Sequence, residues 1–144
     1  MNYTVEIEID LPRARVIELF DNPDNLPKWQ PELVSFEHIS GERGTPGAKS
    51  RLLYKVGKRE FDMIETITVR KLPDEFSGTY ETHDALNTVK NRFIETGPGK
   101  TKWISENEFQ CKGFMKILAF LMPGMFKKQS WKYMEQFKAF AEGA

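Results

Sequence analysis

The sequence predicts an α+β fold in which a curved antiparallel β-sheet of about seven strands wraps a long C-terminal α-helix. Three observations carry this expectation. Between Gly113 and Ala144, Phe114, Leu118, Leu121, Met125, Phe137 and Phe140 recur at helical spacing, which marks one rod on the order of 45 Å long. From Glu32 to Cys111 the apolar period is two, and the strand-like runs are joined by short turns that favour antiparallel neighbours. Two short helical patterns separate the first strand from these. From Phe114 to Phe126 the only charge is Lys116. A helix so apolar needs a large cover, and a sheet bent over it supplies one.

Each element follows from local chemistry. Tyr3, Val5, Ile7 and Ile9 alternate with Asn2, Thr4, Glu6 and Glu8 as a half-buried strand. Asp10-Leu11-Pro12 opens a helix with Val16, Leu19 and Phe20 inward, because proline is tolerated in a first turn. Asn22-Pro23 repeats the signal for a shorter helix carrying Leu26 and Trp29, which Pro31 stops. Strands follow over 32–40, 50–56, 60–69, 75–82, 87–96 and 101–111, with hairpin turns at Gly57-Lys58 and at Gly97-Pro98-Gly99-Lys100. In the final helix, Pro123-Gly124 should kink the rod.

A chain of 144 residues corresponds to about one domain, here 1–144, and no repeat or linker divides it. Its 21 basic and 21 acidic residues balance, which argues against a partner such as nucleic acid that demands a basic face. One cysteine, Cys111, excludes an internal disulfide framework and fits a reducing compartment. The first residues lack the pattern of a secretory signal, and the longest apolar stretch, 117–126, falls short of the ~20 residues of a transmembrane helix. A soluble, cytoplasmic protein is expected.

The order strand, two short helices, six strands and long helix resembles the START-like helix-grip superfamily, which includes the polyketide cyclase/dehydrase-like and pollen-allergen-like proteins. The resemblance is carried by Asp10-Leu11-Pro12 leading to Val16 and Phe20, and by Asn22-Pro23 with Leu26-Pro27-Lys28-Trp29-Gln30-Pro31. Gly41 with Gly47-Ala48-Lys49, the Leu72-Pro73-Asp74-Glu75-Phe76 turn and Gly97-Pro98-Gly99-Lys100-Thr101 extend it over essentially the whole chain. It implies a small hydrophobic molecule or lipid held between sheet and helix, in proteins of which some are enzymes and many are not.

Alternation sorts the strands into faces. Taking the more aromatic set as inward places Leu52, Tyr54, Val56, Phe61, Met63, Ile67, Val69, Phe76, Tyr80, Val89, Phe93, Trp103 and Phe109 toward the helix, which adds Phe114, Leu118, Leu121, Met122 and Met125. The candidate ligand pocket is Tyr54, Met63, Tyr80, Phe93, Trp103, Phe109, Phe114, Leu118, Met122 and Met125; packing of these residues on one another as a filled core is the competing reading. Glu65, Asn91, Ser105 and Asn107 share the inward parity. Buried polar groups need partners, from one another or from a ligand. An inward Glu65 would have a raised pKa, so Glu65, Asn91 and Asn107 are the candidate catalytic residues. A bulge that turns Glu65 to water is the alternative.

Other chemistry is not supported. Gly97 to Thr101 resembles the tail of a phosphate-binding loop, but Ile94 stands where a glycine is needed and a strand follows. The Gly41 to Gly47 stretch joins strands and reads as a mobile loop at the pocket mouth. His38 and His83 have no metal-ligand spacing, so neither metal nor cofactor is expected. Cys111 reads as a small buried hydrophobe. Lys127, Lys128 and Lys132 with Trp131 and Tyr133 read as a solvated face, with a membrane surface as the alternative. The leading expectation is a hydrophobic-ligand or lipid carrier. The alternatives are a cyclase/dehydratase-like enzyme and an accessory protein that docks a partner or membrane through its last helix. The oligomeric state, homodimer included, is left open.

Overall fold

The computed structural model describes residues 1–144. Its elements are β1 (Asn2–Ile9), α1 (Arg13–Phe20), a 3-10 turn (Pro23–Asn25), α2 (Leu26–Trp29), β2 (Leu33–Ser40), β3 (Lys49–Val56), β4 (Arg59–Lys71), β5 (Glu75–Glu81), β6 (Ala85–Gly97), β7 (Lys100–Cys111), α3 (Gly113–Leu121) and α4 (Met125–Gly143). All seven strands form one curved antiparallel sheet in the order β1-β7-β6-β5-β4-β3-β2, so the first strand pairs with the last.

Turn and bulge chemistry shapes that sheet. Gly57 at φ +63° closes the two-residue turn between β3 and β4, a conformation that a side chain disfavours. Asn22 caps the 3-10 turn by accepting from the Asp24 amide at 3.0 Å. β4 carries a register shift between Ile67 and Val69, opposite Gly78 and Ser77 of β5. A Cβ on Gly78 would stand 2.8 Å from the Thr66 carbonyl oxygen. The glycine therefore lets the backbone of β5 approach closely where β4 bends.

The single kinked rod expected from the sequence is instead two helices. Proline disfavours helical geometry in the residue before it, and Met122 lies at φ −131°, ψ 66°, outside the helix. The chain then restarts at Met125, so Pro123 acts as a break. α4 lies along β1 and α2 and buries Met134, Phe137 and Ala141. Its C-terminal end is tied down where Lys138 donates to the Glu8 carbonyl at 2.6 Å and the Asp10 amide donates to Glu142 at 2.8 Å. α3 meets β7 and has no buried residue.

Two apolar clusters lie within the fold. The larger joins β1, β6, β7, α1, α2 and α4 through Val5, Ile7, Ile9, Val16, Leu19, Trp29, Phe93, Trp103, Met134, Phe137 and Ala141. Phe20 sits among its rings, edge-on to Phe93, Trp103 and Phe137 with centroids 5.0, 5.3 and 5.7 Å away, a geometry favoured by the ring quadrupoles. The smaller gathers Leu33, Leu52 and Tyr54 near the β2 edge, with Leu26, Phe36 and Met63 against it. Leu26 packs against both clusters, while Ile67 and Val89, both buried, belong to neither.

Candidate functional site

Directly opposed residues of an antiparallel pair share a face, so the register defines a continuous row across the sheet. Ser50 opposes Glu65, Glu65 opposes Tyr80, Tyr80 opposes Asn87, and Asn87 opposes Phe109. Phe109 stacks on Phe126 of α4 with centroids 4.5 Å apart, which fixes the row on the helix side of the sheet. Glu65 is therefore inward.

Burial is the leading cause that raises the Glu65 carboxyl above its usual 4.5; the Tyr80 phenol, as a hydrogen-bond donor to the carboxylate, offsets part of the rise. Burial and then the Glu65 charge push the Tyr80 phenol well above its ordinary value, so it stays a donor. Both groups nevertheless keep part of their surface open. Glu65 and Tyr80 are thus half-buried polar groups on the inner face of the sheet.

Further polar groups gather nearby. Tyr54 is held high chiefly by burial, with charges at Tyr133, Glu65 and Glu32 adding to it, and its hydroxyl donates to Gln30 at 2.6 Å. Burial also raises Tyr133 of α4. Asn87 Oδ1 on the row and Glu32 Oε2 are buried with no hydrogen-bond partner. Unpaired buried oxygens are rare because each costs about 1–3 kcal/mol. The Glu32 carboxylate is paired through its other oxygen with Lys132 at 3.7 Å, whereas the Asn87 oxygen, one row position beyond Tyr80, is free to accept from an N–H or O–H group.

The other candidate residues divide. Tyr80 and Phe109 stand on the row, and Tyr54 and Met63 belong to the smaller cluster. Phe93 and Trp103 are 1% and 6% exposed inside the filled aromatic core, so they are packing residues and do not line an open wall. Asn91 accepts from the Trp103 indole at 2.9 Å, and Asn107 donates to the Ser105 hydroxyl at 3.0 Å. Their polar groups are thus engaged locally, away from Glu65, whose register neighbour is Tyr80. Phe114 and Met122 are 70% and 53% exposed and do not close a cavity, because the break at Pro123 frees α3 from the path of α4. Leu118 and Met125 are half-buried. Val56, Phe61 and Leu121, expected inward, are exposed, at the β3–β4 turn and on α3.

Asn87 was missed although it shares the parity of Val89, Asn91 and Phe93; its place at the start of a strand hid it. Gln30, Glu32 and Tyr133 reach the site from a turn and a helix, where alternation carries no signal. No group of three or more His, Cys, Asp or Glu side chains is placed to hold a metal ion. Burial raises the half-buried Cys111 thiol, which keeps it from being a ready nucleophile. Two shallow surface pockets, of about 280 Å³ by Asp84 and Cys111 and about 390 Å³ by Ile17 and Leu72, lie apart from Glu65.

No protein-family model matches the chain, and no curated protein matches it. Solved structures do. The ZhuI aromatase/cyclase from Streptomyces sp. R1128 aligns with a TM-score of 0.81 at 10% identity, over 99% of this chain and 93% of its own. Ara h 8.0201 aligns at 0.78 with 15% identity, over 100% and 99%. A START superfamily protein from Mycobacterium smegmatis aligns at 0.73 with 15% identity, over 99% and 94%. Identities this low speak for architecture alone, and the architecture is shared from end to end: the chain has the START-like helix-grip fold.

Proposed function

We propose that this protein binds a small hydrophobic molecule or lipid in the space between the inner face of β3–β6 and α4. The observation that carries the reading is the row Glu65–Tyr80–Asn87 on the inner face, desolvated yet incompletely covered, with an unpaired Asn87 oxygen and apolar clusters on the same side of the sheet. Apolar flanks supply affinity and a few polar groups supply orientation, as in most small-molecule sites. The ligand is mainly apolar and carries at least one hydroxyl or N–H, because the free oxygen of Asn87 needs a donor. Native mass spectrometry of the purified protein tests this: a co-purifying hydrophobic molecule is expected. An empty protein that also fails to take up a fluorescent hydrophobic probe would remove the carrier reading.

The alternative is an enzyme of the polyketide cyclase/dehydratase kind, favoured by the raised Glu65 carboxyl and supported by the likeness to an aromatase/cyclase. In it Glu65 moves the proton and Tyr80 donates a hydrogen bond to a substrate oxygen. The local engagement of Asn91 and Asn107 makes them supports of the site in this reading. Glu65→Gln separates the two functions. A carrier keeps its affinity and has no turnover to lose, whereas an enzyme keeps affinity and loses turnover by about a hundredfold or more.

A further inference from the structure

α3 turns its apolar side chains to water. Phe114, Ile117, Phe120 and Leu121 are 70%, 57%, 84% and 68% exposed, Met122 follows at 53%, and no residue of the helix is buried. Large exposed apolar patches on a folded chain mark contact surfaces. The segment that carries this patch is basic, although its Lys132 is paired with Glu32 at 3.7 Å, which leaves the other four lysines to set the charge beside α3. Between Glu108 and Glu135 there are five lysines (Lys112, Lys116, Lys127, Lys128 and Lys132) and no Asp or Glu, in a chain whose total charge is zero. Each of these lysines is exposed.

We propose that α3, with the first turns of α4, is a docking element for an anionic lipid bilayer. Exposed apolar residues at successive turns enter the interfacial region, while the lysines around them meet lipid phosphates, the two terms that together hold amphipathic helices on membranes. The charge pattern selects this occupant. A second copy of the same face would set lysine against lysine. A helix with no buried residue stands proud of the domain and offers no groove to a partner peptide. No helix is long and apolar enough to cross a membrane, so docking is peripheral. The surface also adjoins the proposed binding site: the Glu65 row ends on Phe109, whose ring stacks on Phe126 just past the Pro123 break.

The test is co-sedimentation of the whole protein with vesicles of phosphatidylcholine alone and of phosphatidylcholine with one quarter phosphatidylglycerol. Binding to the anionic vesicles is expected, weaker by about tenfold or more at high salt or without the anionic lipid. Phe120→Asp should abolish it. Because Phe120 is 84% exposed, that variant keeps the parent's melting temperature. Exchange of Lys127 and Lys128 for glutamine should weaken binding about tenfold. Four outcomes would overturn the proposal: no binding to either vesicle, equal binding to both, unaltered binding by Phe120→Asp, or a concentration-dependent dimer that Phe120→Asp dissolves. None depends on whether a ligand occupies the interior.

Discussion

At the scale of single residues, Glu65 and Asn91 show how one parity hides two different roles. Both face inward, yet only Glu65 is desolvated without local neutralisation. Its carboxyl titrates above 4.5 in the folded chain, so between that value and its folded one the native state holds a proton that the unfolded chain has released. Stability on this account is greatest in acid and falls as pH rises through the folded pKa. Glu65→Gln removes the slope: urea midpoints of variant and parent should converge near pH 4 and separate toward neutrality, with the variant the more stable. Parallel curves across that range would mean that the carboxyl is solvated. Asn91→Leu, by contrast, leaves the Trp103 indole N–H unpaired in the core and should cost about 1–3 kcal/mol while leaving affinity for a hydrophobic probe unchanged. Alternation in the sequence was enough to place both residues on the inner face. It could not show that the Trp103 indole on β7 would claim one of them, because cross-strand neighbours depend on pairing.

At the scale of elements, period-two patterning made every strand legible, since each buries one face and exposes the other. The two short N-terminal helices were legible from their prolines. The C-terminal helix was legible only in its second half. Spacing of 3.6 marks a stripe but not what covers it, so Phe114 and Phe137 look alike in the sequence although one is 70% exposed and the other 0%. Their substitutions should therefore differ sharply. Phe137→Ala is expected to cost about 3–5 kcal/mol by emptying the centre of an aromatic cluster. Phe114→Ala should stay within about 0.5 kcal/mol. Equal losses in chemical denaturation would restore the single continuous rod. The sheet has its own sensitive point at Gly78, where an added methyl group meets the Thr66 carbonyl, a backbone atom that cannot swing away. Gly78→Ala should cost about 1–3 kcal/mol, whereas Gly143→Ala, with open space around it, should be nearly neutral.

At the scale of the whole molecule, the proposed ligand would require a way in, and the fold is fastened unevenly. The C-terminal half of α4 is anchored by Met134, Phe137 and Ala141 and tied to β1 through Lys138 and Glu142. The first turns of the helix are held by less: the Phe109–Phe126 stack, and the Tyr3 hydroxyl, which donates to the Phe126 carbonyl at 3.1 Å and pairs with Ser130 at 2.5 Å, ahead of Tyr133 on the core and the Lys132–Glu32 ion pair. Immediately before it lies the break at Pro123 and a helix with no buried residue. Local opening follows the regions with the fewest buried contacts, so the seam between β7 and the start of α4 is where ligand should pass. Tyr3→Phe removes the hydroxyl and keeps the ring. If the seam is the gate, association and dissociation of a fluorescent hydrophobic probe should both quicken, by about fivefold for the roughly 1 kcal/mol that such a hydrogen bond contributes, while their ratio stays fixed. Stopped-flow mixing reads both rates. Unchanged rates would place the entrance elsewhere on the sheet, and a change in affinity with unchanged association would make Tyr3 a wall of the site instead of its latch.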